Sequence, residues 1–144
     1  MDINQQTPAY YCVETYIDVP PAKVYDVVSS LDEWKNWQTG VRMIRSCDNL
    51  QEGSSFKWNN SGMQITSAIT ETEPGKCICW KSRAMWIKAT ISWEFEPEKE
   101  GCRVVYEQSI EGFGSGFMKT VLSNSMETTL LELKKYCENE FVPA

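Results

Sequence analysis

The chain has six cysteines and no histidine, and these two counts bound the chemistry open to it. A Ser–His or Cys–His nucleophile is excluded, so acid–base work would fall to carboxylates or a tyrosine. Cys77 and Cys79 stand two apart, which on a strand points both side chains to one face. That spacing is neither a redox Cys-x-x-Cys pair nor a zinc half-site. Cys12, Cys47, Cys102 and Cys137 are scattered, and a zinc site would have only thiolates and carboxylates to draw on. The pattern therefore predicts small, semi-buried thiols outside any disulfide, with no metal and no cofactor. Glu14, Asp26, Glu107 and Glu111 fit surface positions as well as buried ones, and no carboxylate pair stands out. Gly112-Phe113-Gly114-Ser115-Gly116 lacks the lysine of a phosphate-cradling loop and reads as a hinge before the last helix.

Binding is the better-supported kind of chemistry. Alternation along the strand-like segments puts Trp58, Ile65, Ile69, Trp80, Ile91, Trp93 and Tyr106 on one inner face. Met118, Val121, Leu122 and Met126 would join them from the following helix. Each one taken singly serves equally well as core. Together they form an aromatic and methionine-rich surface, adaptable in shape and with few polar handles. The polar residues expected on that face are Thr15, Ser67, Ser82 and Gln108.

The elements that must position these residues follow from two periodicities. Tyr10 to Asp18 alternates and is rich in aromatic and β-branched residues, so it reads as a strand. Val19-Pro20-Pro21 ends it and opens a helix over Val24, Tyr25, Val27, Val28 and Leu31, followed by a short turn at Asp32–Trp37. Strands are predicted at Val41–Cys47, Ser54–Asn59, Met63–Thr70, Cys77–Ser82, Ile87–Glu96 and Cys102–Ile110. Asn60-Ser61-Gly62, Glu73-Pro74-Gly75-Lys76 and Pro97–Gly101 supply the turns between them. Phe117, Met118, Val121, Leu122, Met126, Leu130, Leu133, Cys137 and Phe141 then recur every three or four residues, giving one long helix from about Gly116. A sheet of that size needs cover, and only this helix is long enough to provide it. A single helix fills a strongly curved sheet incompletely, so a cavity is expected.

Length and charge narrow the class further. A chain of 144 residues fits a single domain, and 42% hydrophobic content suffices for a core. The net charge of −6, with Lys and Arg unclustered along the chain, predicts no nucleic-acid partner. No apolar run approaches the ~20 residues of a membrane span, and Met1 to Pro20 shows no leader pattern, which leads us to expect a cytoplasmic protein. Oligomeric state is left open.

Taken with this order of elements, Ile17-Asp18-Val19-Pro20-Pro21-Ala22-Lys23-Val24-Tyr25-Asp26-Val27-Val28 and Leu31 through Trp37 resemble the SRPBCC, or START-like, superfamily. Trp93-Glu94-Phe95-Glu96-Pro97 followed by Gly101-Cys102-Arg103-Val104 resembles its penultimate hairpin, and Met126 through Glu138 its terminal helix. Gln38-Thr39 stand where a proline is common, and Cys102 where Thr or Ser is common. The resemblance implies an α+β helix-grip fold: a curved antiparallel sheet of about seven strands around a long C-terminal helix, with two short helices after strand one. That cavity-forming architecture, with its aromatic and methionine-rich inner face and Gln108 among the lining, points to binding of a small hydrophobic or amphipathic ligand such as a lipid, aromatic metabolite or polyketide. The alternatives the resemblance carries are a polyketide cyclase/dehydratase-type enzyme and a chaperone-activator-like interaction domain. In the last case Trp34, Trp37 and Trp86 would be exposed contact residues.

Overall fold

Strand and helix boundaries fall where the sequence removes a backbone donor or admits a left-handed residue. β1 (Ala9–Ile17) ends before Pro20-Pro21, and α1 (Pro21–Ser29) begins on a proline whose missing N–H has no helical partner. A 3₁₀ turn at Leu31–Glu33 leads into α2 (Trp34–Trp37). Six strands follow: β2 (Val41–Arg45), β3 (Ser55–Asn60), β4 (Met63–Glu73), β5 (Cys77–Ala84), β6 (Ile87–Glu98) and β7 (Gly101–Gly112). The last described element is α3 (Lys119–Phe141). This computed structural model describes residues 9–47, 50–112 and 119–141.

The seven strands form one antiparallel sheet in the order β1-β7-β6-β5-β4-β3-β2. Ser61 and Gly62, at φ of 51° and 92°, form the two-residue turn between β3 and β4, whose left-handed residues match the twist of the strands. Irregularities between Met43 and Arg45, and between Ile69 and Glu71, add the bends that curve the sheet. At Gly101 a Cβ would lie 2.3 Å from the Ile17 carbonyl oxygen, so glycine lets β7 start directly against the end of β1.

One face of the sheet is dry. Phe56, Ile69, Ile78, Trp80, Ile91, Trp93, Phe95 and Val104 are buried on it, and α3 lays Leu122, Met126, Leu130, Leu133 and Cys137 against it. That stripe is the predicted helix face, except that Val121 is 61% exposed and turns away from the interior. Its neighbour Leu122 already occupies the inward direction, and adjacent helical residues point about 100° apart. Trp34 and Trp37 also correct an expectation: both are buried rather than exposed, because α2 folds inward over the sheet.

α3 is pinned to the β1 end by Lys134 and Glu138. The Lys134 ammonium donates to the Tyr16 carbonyl at 2.5 Å and to Glu138 at 2.9 Å, while Glu138 accepts the Asp18 N–H at 3.0 Å. Partial burial alone would raise the Glu138 pKa, but the Lys134 and Asp18 bonds outweigh it and hold the carboxyl below its ordinary value of 4.5. A folded-state pKa below the unfolded one supplies stability that is complete above the ordinary value and is lost as pH falls through the folded value. Glu138→Gln is therefore expected to flatten the acid limb of the stability profile. Urea midpoints at neutral and acid pH will check this, and an unchanged acid limb would count against it.

Candidate functional site

Packing inside the grip is uneven, and the unevenness makes the site. α1 lies against β5, β6, β7 and α3. It fills that half with Val24, Tyr25, Val27 and Val28, and Tyr25 meets Phe95 edge-on at 5.9 Å. Trp34 then anchors an aromatic wall. Its ring contacts Phe56 at 5.7 Å, Trp58 at 5.1 Å and Trp80 at 5.6 Å, and its indole N–H donates to the Val28 carbonyl at 2.9 Å. Beyond that wall the described residues of α3 that border the space are the small Ser125 and Thr129. A cavity of about 150 Å³ remains between the sheet and α3.

Its floor and walls come from alternate residues of β3 to β7: Trp58, Ile65, Trp80 and Ser82, then Ile87, Ala89 and Ile91, then Tyr106, Gln108 and Ile110. Gln38, Asn60 and Met63, with Ser125 and Thr129 of α3, complete the lining. Among the described residues no charged side chain lines it. The inner serines are already engaged, since Trp58 donates its indole N–H to Ser67 at 3.0 Å and Ser67 bonds Ser82 at 2.7 Å.

Two polar groups facing this region are poorly served. The Trp80 indole nitrogen is buried with no acceptor, as are those of Trp37 and Trp93. Tyr106 stacks on Trp93 with ring centroids 3.8 Å apart, and its hydroxyl reaches Gln108 only at 3.4 Å. Burial pushes that hydroxyl far above the usual phenol range, so at neutral pH it is a donor and not a base. A buried donor without a partner carries a desolvation cost that a ligand's acceptor atom can relieve.

Of the residues expected to line a pocket, Trp58, Ile65, Trp80, Ile91, Tyr106 and Gln108 border this cavity. Ile69, Trp93, Leu122 and Met126 are buried but pack in the surrounding core, Trp93 behind the Tyr106 ring. Met118 lies outside the described residues. The residues missed were the small ones. Ala84 and Ala89 share a face with Ile87 and Ile91 by simple parity, and their small size is what leaves the volume. Nothing in the sequence marked Gln38, Ser125 or Thr129.

The cysteines lie away from this site, and none is joined in a disulfide among the described residues. Burial pushes Cys102 up to about 11 and Cys137 up to about 12. Cys77 rises to about 12, through burial and then through its contact with Glu71. The thiolate is the reactive form, so native alkylation at mildly alkaline pH is expected to be slow and to start at exposed Cys12. After unfolding, all six should react, and mass spectrometry along the time course will read both phases. Rapid native modification of Cys102 or Cys137 would contradict the packing. Among the described residues no group of three or more cysteine or acidic side chains is arranged to hold a metal ion. No described helix is long and apolar enough to cross a membrane.

The family described as polyketide cyclase / dehydrase and lipid transport matches residues 12–138. No curated protein matches the chain. Among solved structures, a hypothetical protein of Helicobacter pylori aligns with a TM-score of 0.80 at 16% identity, over 94% of this chain and 91% of that one. A protein of Chromobacterium violaceum aligns with a TM-score of 0.77 at 14% identity, over 92% and 99%. The Aha1 dimer of Colwellia psychrerythraea gives 0.74 at 22% identity, over 90% and 96%. At these identities the likeness is one of fold.

Proposed function

Because this chain belongs to the polyketide cyclase / dehydrase and lipid transport family, we propose that it binds a small, uncharged, largely apolar molecule in the cavity between the sheet and α3. The observation that carries this reading is the lining: among the described residues it is mostly aromatic and aliphatic, with the unpartnered Trp80 indole N–H, a few neutral polar side chains and no charge. An ionised carboxylate or ammonium brought inside would lose its hydration with nothing to pair against, a cost that outweighs the apolar contact it gains. A volume of about 150 Å³ is the scale that accepts one benzene-sized group. The ligand therefore inserts a single ring or a short chain and leaves any polar remainder among Gln38, Asn60, Ser125 and Thr129. A carbonyl or ether oxygen at the inner end would accept from Trp80 or Tyr106.

A cyclase or dehydratase would also need a proton acceptor. Among the described residues the lining offers no carboxylate, and Tyr106 holds its proton, so carrying and positioning a ligand fits the site better than acid–base turnover.

The test uses a matched pair, 2-naphthol and 2-naphthoate, with tryptophan emission and melting temperature as readouts. The neutral compound should quench emission and raise the melting temperature with concentration, and the carboxylate should bind at least about tenfold more weakly. Ala89→Phe, which fills the cavity, should abolish the response while the protein stays folded. If a broad panel of neutral aromatics and lipids moves neither signal, or if Ala89→Phe binds as well as the parent, the reading fails.

A further inference from the structure

The outer face of the sheet carries a charge pattern that the linear sequence conceals. Lys and Arg look dispersed along the chain, but strand register gathers them. Arg45 pairs with Lys57, Lys57 with Thr66, Thr66 with Arg83 and Arg83 with Lys88. This is one lateral row across five neighbouring strands. Lys81 stands in the next row, opposite Thr90. A groove on this face is lined by Thr66, Lys81, Arg83, Lys88 and Thr90, with Glu111 as its only carboxylate among the described residues. None of Lys57, Lys81, Arg83 and Lys88 forms a salt bridge among the described residues. The expectation that basic residues do not cluster is corrected here, since sequence distance says nothing of cross-strand neighbours about 4.8 Å away.

Like charges directly opposite each other weaken a sheet. This sheet has two such pairs, Arg45 with Lys57 and Arg83 with Lys88, in a chain whose net charge is −6. Apart from Glu111, which stands opposite Lys88 at the basic end, the acidic residues of the same face lie toward the other end, at Glu71, Glu73, Glu94 and Glu107. The face is thus polarised along the strands. Folding gains nothing from that separation, whereas an anionic partner at the basic end does.

The basic end is also the apolar end. Arg83 and Lys88 flank the β5–β6 turn, where Met85 is 70% exposed and Trp86 58% exposed. Met63, at the neighbouring β3–β4 turn, is exposed and lines the cavity, as do Ala84 and Ile87 at the bases of the β5–β6 turn. Cations beside an exposed tryptophan and methionines suit a lipid headgroup layer, in which the rings and thioethers insert and the cations meet phosphate. A nucleic acid would want aromatic platforms along the basic groove itself, and that groove has none.

We propose that this end of the sheet docks on an anionic lipid surface, with Met85 and Trp86 inserted and Lys57, Arg83 and Lys88 against the headgroups. The acidic end then points away from the membrane, which fixes orientation, and the end of the cavity lined by Met63, Ala84 and Ile87 lies nearest the bilayer from which an apolar ligand can be taken or to which it can be returned. Docking rests on the outer face and the turn, so it stands or falls separately from ligand binding inside.

The experiment is cosedimentation of the full chain with phosphatidylcholine vesicles, with and without phosphatidylglycerol. Binding is expected only to the mixed vesicles, with a blue shift of Trp86 emission and loss of binding at high salt. Each cation neutralised should weaken partitioning about fivefold, so Lys57→Gln/Arg83→Gln/Lys88→Gln together should lose roughly a hundredfold. Trp86→Ala should weaken binding while leaving its salt dependence intact. Glu73→Gln/Glu94→Gln, which alters net charge at the other end, should leave binding within about twofold. Equal binding to both vesicle types, or undiminished binding by the triple variant, would overturn the proposal. Capture of an oligonucleotide through the same residues, with no vesicle binding, would instead assign the face to nucleic acid.

Discussion

Trp34→Ala is expected to destabilise the protein by about 3–5 kcal/mol, among the largest effects available from one substitution. The ring is 2% exposed and touches Phe56, Trp58 and Trp80, so its removal opens a void that three large aromatic side chains cannot close together. The indole N–H also satisfies the Val28 carbonyl at the end of α1. Trp34→Phe keeps most of the ring contact and loses that bond, so it should recover part of the deficit and still fall short by about 1–3 kcal/mol. Trp86→Ala is the control; it removes an equally large side chain from the surface and should stay within about 0.5 kcal/mol. Denaturant midpoints at constant m will rank the three. Equal effects of Trp34→Ala and Trp86→Ala would show the aromatic wall to be incidental. Since Trp58 and Trp80 lean on Trp34, the same variant should lose naphthol binding even where it remains folded.

Leu133→Ala should cost about 2–5 kcal/mol, because the side chain is fully buried between α3 and the sheet. The neighbouring Leu131 is 51% exposed, and its truncation should change stability by no more than about 0.5 kcal/mol. The pair shares composition, helix and chain region, so a difference between them reports only which face is inward. Thermal or urea unfolding of the two variants will decide it, and similar losses would mean that the helix is rotated from the position described.

How much of this could be read beforehand depends on the range of the cause. Alternation is local and tied to the backbone, so β6, with Ile91, Trp93 and Phe95 inside and Glu94 outside, was legible. The stripe Leu122, Met126, Leu130, Leu133 was legible for the same reason. The burial of Trp34 and Trp37 was not, because a four-residue helix has no period to read and its direction is set by the wall it meets. Trp93 and Tyr106 both belong to the inner face, but only their stacking decides which one borders the empty space. Cavities also draw attention to large side chains when the small ones create them, which is why Ala84 and Ala89 escaped notice. The basic row was invisible because it is a property of register, assembled across five strands and a bend.

The closing of the sheet by its first strand has a consequence for how the molecule is made. β2 to β7 pair with sequence neighbours, whereas β1 pairs only with β7, joining Ala9 to Ile110 and Ile17 to Cys102. During synthesis at ~5–20 residues per second, β1 waits roughly 5–20 s for its partner to emerge. Over that interval Tyr10, Tyr11, Val13 and Ile17 stay exposed on a ribbon with no neighbour, and α3 has no complete surface to dock on. Closing so long a loop sets a slow last step relative to the hairpins already formed. The partly built sheet meanwhile offers the edge of β7, which accepts a β1 from any chain nearby. At high concentration the expected misassembly is therefore an exchange of first strands between two copies, each completing the other's sheet.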